Sequence, residues 1–227
     1  MNNNNDDPTL HYITIATMPH ITLEKIVARV KKQNEKITIL GGHENRYIGW
    51  HSRGNFGIKL KEVQNFINNP DLDDQEIVLF TDAYDVIYYG NHDEIIKRYL
   101  SFGHPIVFGA EKFCNPDPKY EKHYLFKDTE FPFLNSGMFI GRVWALREIL
   151  SKYIYNDSHD DQLYWTIQFI NNPQLIKLDY KNILFLNSFG IDINLINHDE
   201  NQCFYNNANP LFLHINSPDK SELQHFI

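Results

Sequence analysis

The strongest constraint on the fold is an alternation of short apolar segments with amphipathic ones along the first half of the chain. The apolar segments are rich in β-branched residues and predict buried strands at Leu10–Thr17, Lys36–Leu40, Glu76–Thr81 and Pro105–Phe108. The amphipathic segments predict helices from a Thr22 cap to Asn34, over Ile58–Ile67 and over Asp93–Leu100. This order predicts an α/β fold in which helices cover both faces of a mostly parallel sheet.

The second half of the chain is less regular. A proline-containing loop is predicted over Ala110–Pro132, followed by an apolar segment, Phe133–Gly141, built around an Asn-Ser-Gly turn. Further helices are predicted over Trp144–Tyr153 and Asp160–Phe169, and short strands over Leu175–Leu178, Ile183–Leu186 and Leu211–Ile215. With 227 residues, of which 42% are hydrophobic, the chain predicts one domain over residues 9–227 after a disordered polar lead-in, 1–8.

Charge and composition argue against several classes of function. The net charge is −8 and no basic run is present, so nucleic acid is not an expected partner. No apolar stretch is long enough for a transmembrane helix, and the Asn-rich start lacks the features of a signal peptide. We therefore expect a soluble protein and assign no compartment. Two cysteines, Cys114 and Cys203, are expected to be reduced thiols rather than a disulfide framework.

Two carboxylates follow the most apolar predicted strand directly. Asp82 and Asp85 lie three residues apart in a turn at the strand's carboxyl end, where α/β sheets place their ligands. Such a pair can bind one divalent cation, which neutralises a diphosphate leaving group; equally, aspartates in a turn can cap neighbouring backbone N–H groups. His214 ends another short apolar strand, and an imidazole beside two carboxylates suits Mn²⁺ better than Mg²⁺, although a structural histidine is the plainer interpretation.

Several other polar residues are candidates for a site, each with a structural alternative. Lys220 could reach a phosphate or be a solvated surface lysine. Asp160 and Asp161 begin a predicted helix, where they could serve catalysis or interact favourably with the helix dipole. The Asn135-Ser136-Gly137 segment could present amide and hydroxyl groups to a sugar or form an ordinary turn.

Seven segments, taken in order, resemble the glycosyltransferase domain of the multifunctional procollagen lysyl hydroxylases and related collagen glycosyltransferases. The resemblance covers residues 10–222. The segments are Thr14-Ile15-Ala16-Thr17, Gly57-Ile58-Lys59, Phe80-Thr81-Asp82-Ala83-Tyr84-Asp85-Val86-Ile87, Phe113-Cys114-Asn115-Pro116-Asp117, Leu134-Asn135-Ser136-Gly137-Met138-Phe139-Ile140-Gly141, Asp160-Asp161-Gln162 and His214-Ile215-Asn216-Ser217-Pro218-Asp219-Lys220. Similar stand-alone versions occur in giant viruses that encode collagen-like proteins.

The resemblance implies a GT-A fold, a Mn²⁺ ion and a UDP-sugar donor, UDP-glucose or UDP-galactose. It implies a hydroxyl acceptor such as hydroxylysine or galactosyl-hydroxylysine in a collagen-like chain. The implied metal ligands are Asp82, Asp85 and His214. The implied donor-binding residues are Ile15, Thr17, Lys59, Tyr84, Asn135, Ser136, Gly137, Asn216 and Lys220. Asp161, with Asp160 second, is the implied catalytic residue.

The chain departs from the family pattern at two positions. Asn115 stands where members often carry tryptophan, in a segment over the donor sugar, and Met138 stands where glycine is common. Two other functions therefore stay open beside a transferase. One is a non-catalytic GT-A-like module that binds nucleotide or acceptor. The other is a sugar-1-phosphate nucleotidyltransferase, which the absence of a glycine-rich, basic phosphate loop over Thr14–Ile21 disfavours.

Overall fold

The protein is described by a computed structural model over residues 8–49, 54–125 and 128–227. The predicted lead-in, 1–8, therefore lies outside the described residues except for Pro8. The helices and strands, in chain order, are β1 (Leu10–Ile15), α1 (Ile21–Lys32), β2 (Ile37–Leu40), α2 (Gly57–Ile67), β3 (Ile77–Asp82), β4 (Val86–Tyr88), α3 (His92–Ser101), β5 (Ile106–Glu111), β6 (Phe133–Arg142), α4 (Val143–Leu150), α5 (Asp161–Asn171), β7 (Ile176–Asp179), β8 (Phe185–Asn187), β9 (Ile196–His198), β10 (Cys203–Tyr205) and β11 (Phe212–His214). Short 3₁₀ helices span Pro118–His123, Ile193–Leu195 and Ser221–His225.

The central sheet has six strands in the order β2-β1-β3-β6-β5-β7. Neighbouring strands in this sheet are parallel except for β6, which is antiparallel to both β3 and β5. A second sheet has the order β4-β11-β8, and β9 pairs with β10 in a two-stranded ribbon. The prediction of an α/β fold with a mostly parallel central sheet is confirmed.

Both faces of the central sheet are buried, which explains why its strands are continuously apolar. On one face Phe80, Phe108 and Phe139 pack with Trp165 of α5, with ring centroids about 5 Å apart. On the other face Tyr12 joins a cluster that includes rings from β4 and β11. No described helix is long and apolar enough to cross a membrane, and both cysteines are free thiols.

Three local predictions were wrong. The Asn135-Ser136-Gly137 segment does not reverse the chain, because it lies inside β6. The pairing of β6 with β5 shifts register between Phe108 and Gly109, which pair with Phe139 and Asn135, so residues 136–138 form a bulge. The first helix is capped by His20, whose Nδ1 accepts a hydrogen bond from the Thr22 backbone N–H at 3.2 Å, while Thr22 itself is buried. Finally, β5 continues past Phe108 to Glu111, which places the start of the predicted loop in the sheet.

Candidate active site

The two sheets bring the predicted metal ligands together. Asp82 is the last residue of β3, and Asp85 lies just before β4. Strand β11 pairs antiparallel with β4 so that His214 lies opposite Val86, and the Ile215 backbone N–H donates to the Asp85 carbonyl at 2.8 Å. Because β4 follows β3 after a short turn, this pairing carries His214 to the carboxyl end of the central strand.

The three side chains have the spacing of a cation site. His214 Nε2 lies 3.3 Å from Asp85 Oδ1 and 3.9 Å from Asp82 Oδ2, and the ligand atoms all lie within 4.8 Å of one another. His214 is 4% exposed, and both aspartate side chains are mostly buried. Two carboxylate oxygens and one imidazole nitrogen form a donor set that Mn²⁺ or Zn²⁺ accepts.

The orientation of His214 supports this assignment. Asn187 Nδ2 donates to the Ala110 carbonyl at 2.9 Å, which leaves Asn187 Oδ1 facing His214 Nδ1 at 2.9 Å. His214 Nδ1–H is therefore the donor, and Nε2 faces the two carboxylates. A ring nitrogen and carboxylate oxygens that converge in this way need a proton or a metal cation between them, so the residues present fit a bound metal ion.

Gly137 provides the space for this arrangement. A Cβ at position 137 would collide with the His214 ring and lie 2.9 Å from Asp82 Oδ2. The backbone of β6 therefore packs directly against the imidazole, which fixes the ring on one side while Asn187 holds it on the other. Glycine at this position is a steric requirement of the site.

Each of the two aspartates forms an ion pair with a lysine. Lys59 of α2 contacts Asp82 Oδ1 at 2.6 Å and Asp161 Oδ2 at 3.6 Å. Lys220 contacts Asp85 Oδ2 at 2.7 Å. Burial opposes charge on the Lys59 ammonium, but Asp161 and Asp82 more than offset it and hold its pKa above the usual range. Burial likewise opposes charge on Asp85, yet His214 and then Lys220 keep its pKa well below the ordinary value.

The two aspartates at the start of α5 have different positions. Asp160 is the N-cap, and its Oδ1 accepts a hydrogen bond from the Leu163 backbone N–H at 2.8 Å. Asp161 is buried and accepts a hydrogen bond from Ser136 Oγ at 2.9 Å. Burial, opposed by Lys59 and reinforced by Asp82, raises the pKa of Asp161 to about 6. Asp161 therefore lies within the cluster, whereas the Asp160 carboxylate is engaged in capping.

The predicted nucleoside residues lie beside the same strand end. Ile15 pairs with Asp82 across β1 and β3. The Tyr84 hydroxyl accepts hydrogen bonds from the backbone N–H groups of Thr17 at 2.9 Å and Met18 at 3.0 Å. Thr17 Oγ1 is buried without a hydrogen-bond partner among the described residues, so an unused polar group lies beside this strand end. The half-buried Tyr84 ring is thus fixed near the metal ligands.

A second polar cluster, which we call the amide cluster, surrounds Glu111 and was missed by the sequence analysis. Glu111 is 1% exposed; its Oε1 accepts from Gln162 Nε2 at 2.6 Å and its Oε2 from Asn216 Nδ2 at 2.9 Å. Asn135 joins through a 3.3 Å contact with Gln162 and accepts from the Gly137 backbone N–H at 2.9 Å. Burial raises the pKa of Glu111 to about 8, although the surrounding amide groups oppose the shift.

The predicted site residues therefore lie at one end of the central sheet, where the Asp160 carboxylate caps α5. The residues that the sequence analysis missed are Glu111, Gln162 and Asn187. For Glu111 a signal existed, because a charged residue directly follows the apolar run Ile106–Ala110 at the end of a strand. Asn187 also ends a strand, but a lone asparagine there carries no distinctive chemistry.

The chain is similar in sequence to known proteins over most of its length. The PLOD GT domain matches residues 6–227. The multifunctional procollagen lysine hydroxylase and glycosyltransferase LH3 of Homo sapiens is 32% identical over 198 residues, which cover 83% of this chain and 25% of that protein. Protein R699 of Acanthamoeba polyphaga mimivirus is 33% identical over 173 residues, or 74% of this chain and 37% of the relative. The chain thus spans between a quarter and two fifths of the length of these relatives.

The fold has a counterpart among solved structures. A glycosyltransferase involved in the glycosylation of the major capsid of PBCV-1 superposes with a TM-score of 0.53 at 10% identity, covering 96% of this chain and 100% of that one. At this identity the likeness concerns the fold alone, which is that of GT-A glycosyltransferases. The family match, in contrast, covers nearly all of the chain, and the chain belongs to the PLOD GT domain family of glycosyltransferases.

Proposed function

We propose that this protein transfers a hexose from a UDP-sugar, UDP-glucose or UDP-galactose, to a hydroxyl acceptor in a metal-dependent reaction. The observation that carries the proposal is the convergence of Asp82, Asp85 and His214 at the end of β3, with Lys59 and Lys220 beside them. This set of groups has the charge and spacing expected for binding a divalent cation together with a diphosphate.

Asp82, Asp85 and His214 would hold the cation, for which Mn²⁺ is our assignment because an imidazole joins the two carboxylates. The chemistry that a bound divalent cation supplies is neutralisation of charge on the departing UDP. Lys59 and Lys220 already lie within 2.6 and 2.7 Å of the aspartates, so each could exchange its carboxylate partner for a phosphate oxygen. The two lysines would then stabilise the leaving group further.

The remaining residues would position the donor and the acceptor. Tyr84 is held by two backbone N–H groups and offers its ring to the uracil base. Asn135, Ser136 and Asn216 would face the hexose hydroxyls. Asp161, buried beside Lys59, is the carboxylate that we assign to the reacting centre, with Asp160 behind it as the helix cap.

The acceptor that we propose is hydroxylysine or galactosyl-hydroxylysine in a collagen-like protein. The support is membership of the PLOD GT domain family and similarity to LH3, a procollagen lysine hydroxylase and glycosyltransferase. Asn115 belongs to this part of the proposal, because its backbone carbonyl accepts a hydrogen bond from Gln162 Nε2 at 3.1 Å, next to Glu111. We propose that its side chain lies beside the bound hexose and influences which donor is used.

A donor screen tests the proposal. UDP release is measured for a panel of UDP-sugars with Mn²⁺, and again with EDTA, followed by mass spectrometry of a hydroxylysine-containing collagen-like peptide. We expect Mn²⁺-dependent UDP release and a mass gain of one hexose. A protein that UDP and Mn²⁺ stabilise thermally, but that consumes no donor in the panel, would instead be a non-catalytic binding module.

A further inference from the structure

A second group of metal-ligating side chains lies outside the candidate active site. His43 and Glu44 follow β2, and Glu62 lies on α2. One ligand atom from each of the three residues lies within 4.8 Å of the others. None of these residues belongs to the cation site, the nucleoside pocket or the amide cluster described above, so the group needs its own explanation.

The environment of the Glu62 carboxylate indicates that this group of residues binds a ligand. Its side chain is 7% exposed, and Oε1 is buried without accepting a hydrogen bond from any residue that the structure describes. That oxygen lies 3.7 Å from His43 Nε2 and 3.8 Å from Lys61 Nζ, both beyond hydrogen-bonding distance. A buried carboxylate oxygen without a hydrogen bond is costly, so this position favours a bound cation.

The two distances from His43 to the carboxylate oxygens lie close to those of tetrahedral coordination. Zn²⁺ binds histidine nitrogen and carboxylate oxygen at about 2.1 Å, which places neighbouring ligands about 3.4 Å apart around a tetrahedron. His43 Nε2 lies 3.6 Å from Glu44 Oε1 and 3.7 Å from Glu62 Oε1. Small rotations of the 66%-exposed His43 side chain would close both distances. A fourth position would remain for water.

Glu44 is already oriented for this role. Arg46 Nε donates to Glu44 Oε2 at 3.0 Å, which turns Oε1 toward the other ligands. Lys61 Nζ contacts the same Oε1 at 2.8 Å and therefore competes with a metal ion for it. Lys61 is 29% exposed and lies 5.2 Å from the Tyr155 ring, so it can leave the carboxylate without being stranded in the interior.

We propose that His43, Glu44 and Glu62 form a second cation site, selective for Zn²⁺ or a similar borderline metal ion, with Lys61 as its competitor. Occupation of this site would tie the segment after β2 to α2. Lys59 lies on the same helix, one turn before Glu62, so the second site would stabilise the helix that places Lys59 on Asp82.

Counting bound Zn²⁺ by calorimetry and by metal analysis tests the proposal. The unaltered protein should bind one ion more than the His43→Ala and Glu62→Gln variants do, or bind it at least tenfold more tightly. Glu62→Gln keeps the shape of the side chain, so its folding should be preserved. His123→Ala, which removes another exposed histidine, is the matched control and should leave the Zn²⁺ count unchanged.

The candidate active site can also take Zn²⁺, so the measurement is repeated with Asp82→Ala. That variant should lose an ion other than the one lost by His43→Ala if both sites bind, and the two losses should add. Lys61→Met should tighten Zn²⁺ binding by about tenfold, because it removes the competing ammonium group. Equal counts and affinities for unaltered protein, His43→Ala and Glu62→Gln would overturn the second site and leave the proposed transferase function untouched.

Discussion

Two neighbouring regions of the candidate active site shift the pKa of a carboxylate in opposite directions. At the cation site, Asp85 is held ionised by His214 and Lys220, which outweigh the effect of burial on its pKa. In the amide cluster, Glu111 is 1% exposed and accepts hydrogen bonds from amide groups, and burial raises its pKa to about 8. The difference shows that burial alone does not set the pKa of a carboxylate in this site; the charged groups in contact with it also contribute.

The largest effect should come from removing charge at the cation site. We expect Asp82→Ala to lower the rate of UDP release by about three orders of magnitude or more, because it removes one metal ligand and leaves Lys59 without its nearest partner. Steady-state assays with saturating Mn²⁺ measure this loss. The exposed Asp93 of α3 supplies the control, since Asp93→Ala should retain activity.

In the amide cluster, the contribution of Glu111 to the free energy of unfolding should depend on pH. Because the folded-state pKa of Glu111 is raised above its ordinary value of 4.5, the protonated form stabilises the fold, and this stability is lost as pH rises from 4.5 through about 8. Glu111→Gln mimics the protonated form. The free energy of unfolding of the variant, relative to the unaltered protein, should therefore rise over this window, by on the order of 5 kcal/mol at pH 9.

Urea unfolding in EDTA at several pH values measures that difference. The Glu24→Gln variant, which alters an exposed carboxylate of α1, provides a control and should show an offset that does not vary with pH. A constant offset for Glu111→Gln as well would mean that Glu111 is ionised in the folded protein, and the contrast between the two regions would disappear.

Asn187 tests whether the cation site depends on the orientation of His214. The Asn187→Ala variant removes the acceptor for His214 Nδ1–H, so we expect the affinity for Mn²⁺ to fall by about tenfold to a hundredfold. Calorimetric titration with Mn²⁺ measures the change. Asn197→Ala, in the two-stranded ribbon, alters an exposed asparagine and should bind Mn²⁺ normally. Unchanged binding by Asn187→Ala would show that the affinity for Mn²⁺ does not depend on the hydrogen bond that orients the His214 ring.

The smallest effect should come from Lys220, because its side chain is 47% exposed and half-exposed ion pairs contribute no more than about 1 kcal/mol. The Lys220→Met variant should raise the KM for the UDP-sugar severalfold, with the difference shrinking at high salt. Lys119→Met alters another exposed, aspartate-paired lysine and controls for the loss of surface charge. A large fall in kcat for Lys220→Met would contradict this expectation and show that Lys220 is as important for turnover as Asp82.

The sequence predicted the layers of the fold because a strand buried on both faces of a sheet is apolar at nearly every position, as in Glu76–Thr81. It predicted Asp82 and Asp85 because a turn directly after such a strand has a known place in α/β sheets. His214 needed the resemblance to a family, since 11 histidines make any single one uninformative. The bulge in β6 was misread because Asn-Ser-Gly is a common turn composition, and only the register of β5 reveals otherwise.

The pairing of β11 with β4 has a consequence for how the protein is made. Lys220 and Asp85 meet although 135 positions separate them along the chain. Contacts of such long range form late, after local ones. All six strands of the central sheet end by Asp179, so that sheet can form before His214 has been synthesised. The cation ligands therefore come together only after the scaffold that carries two of them has already folded.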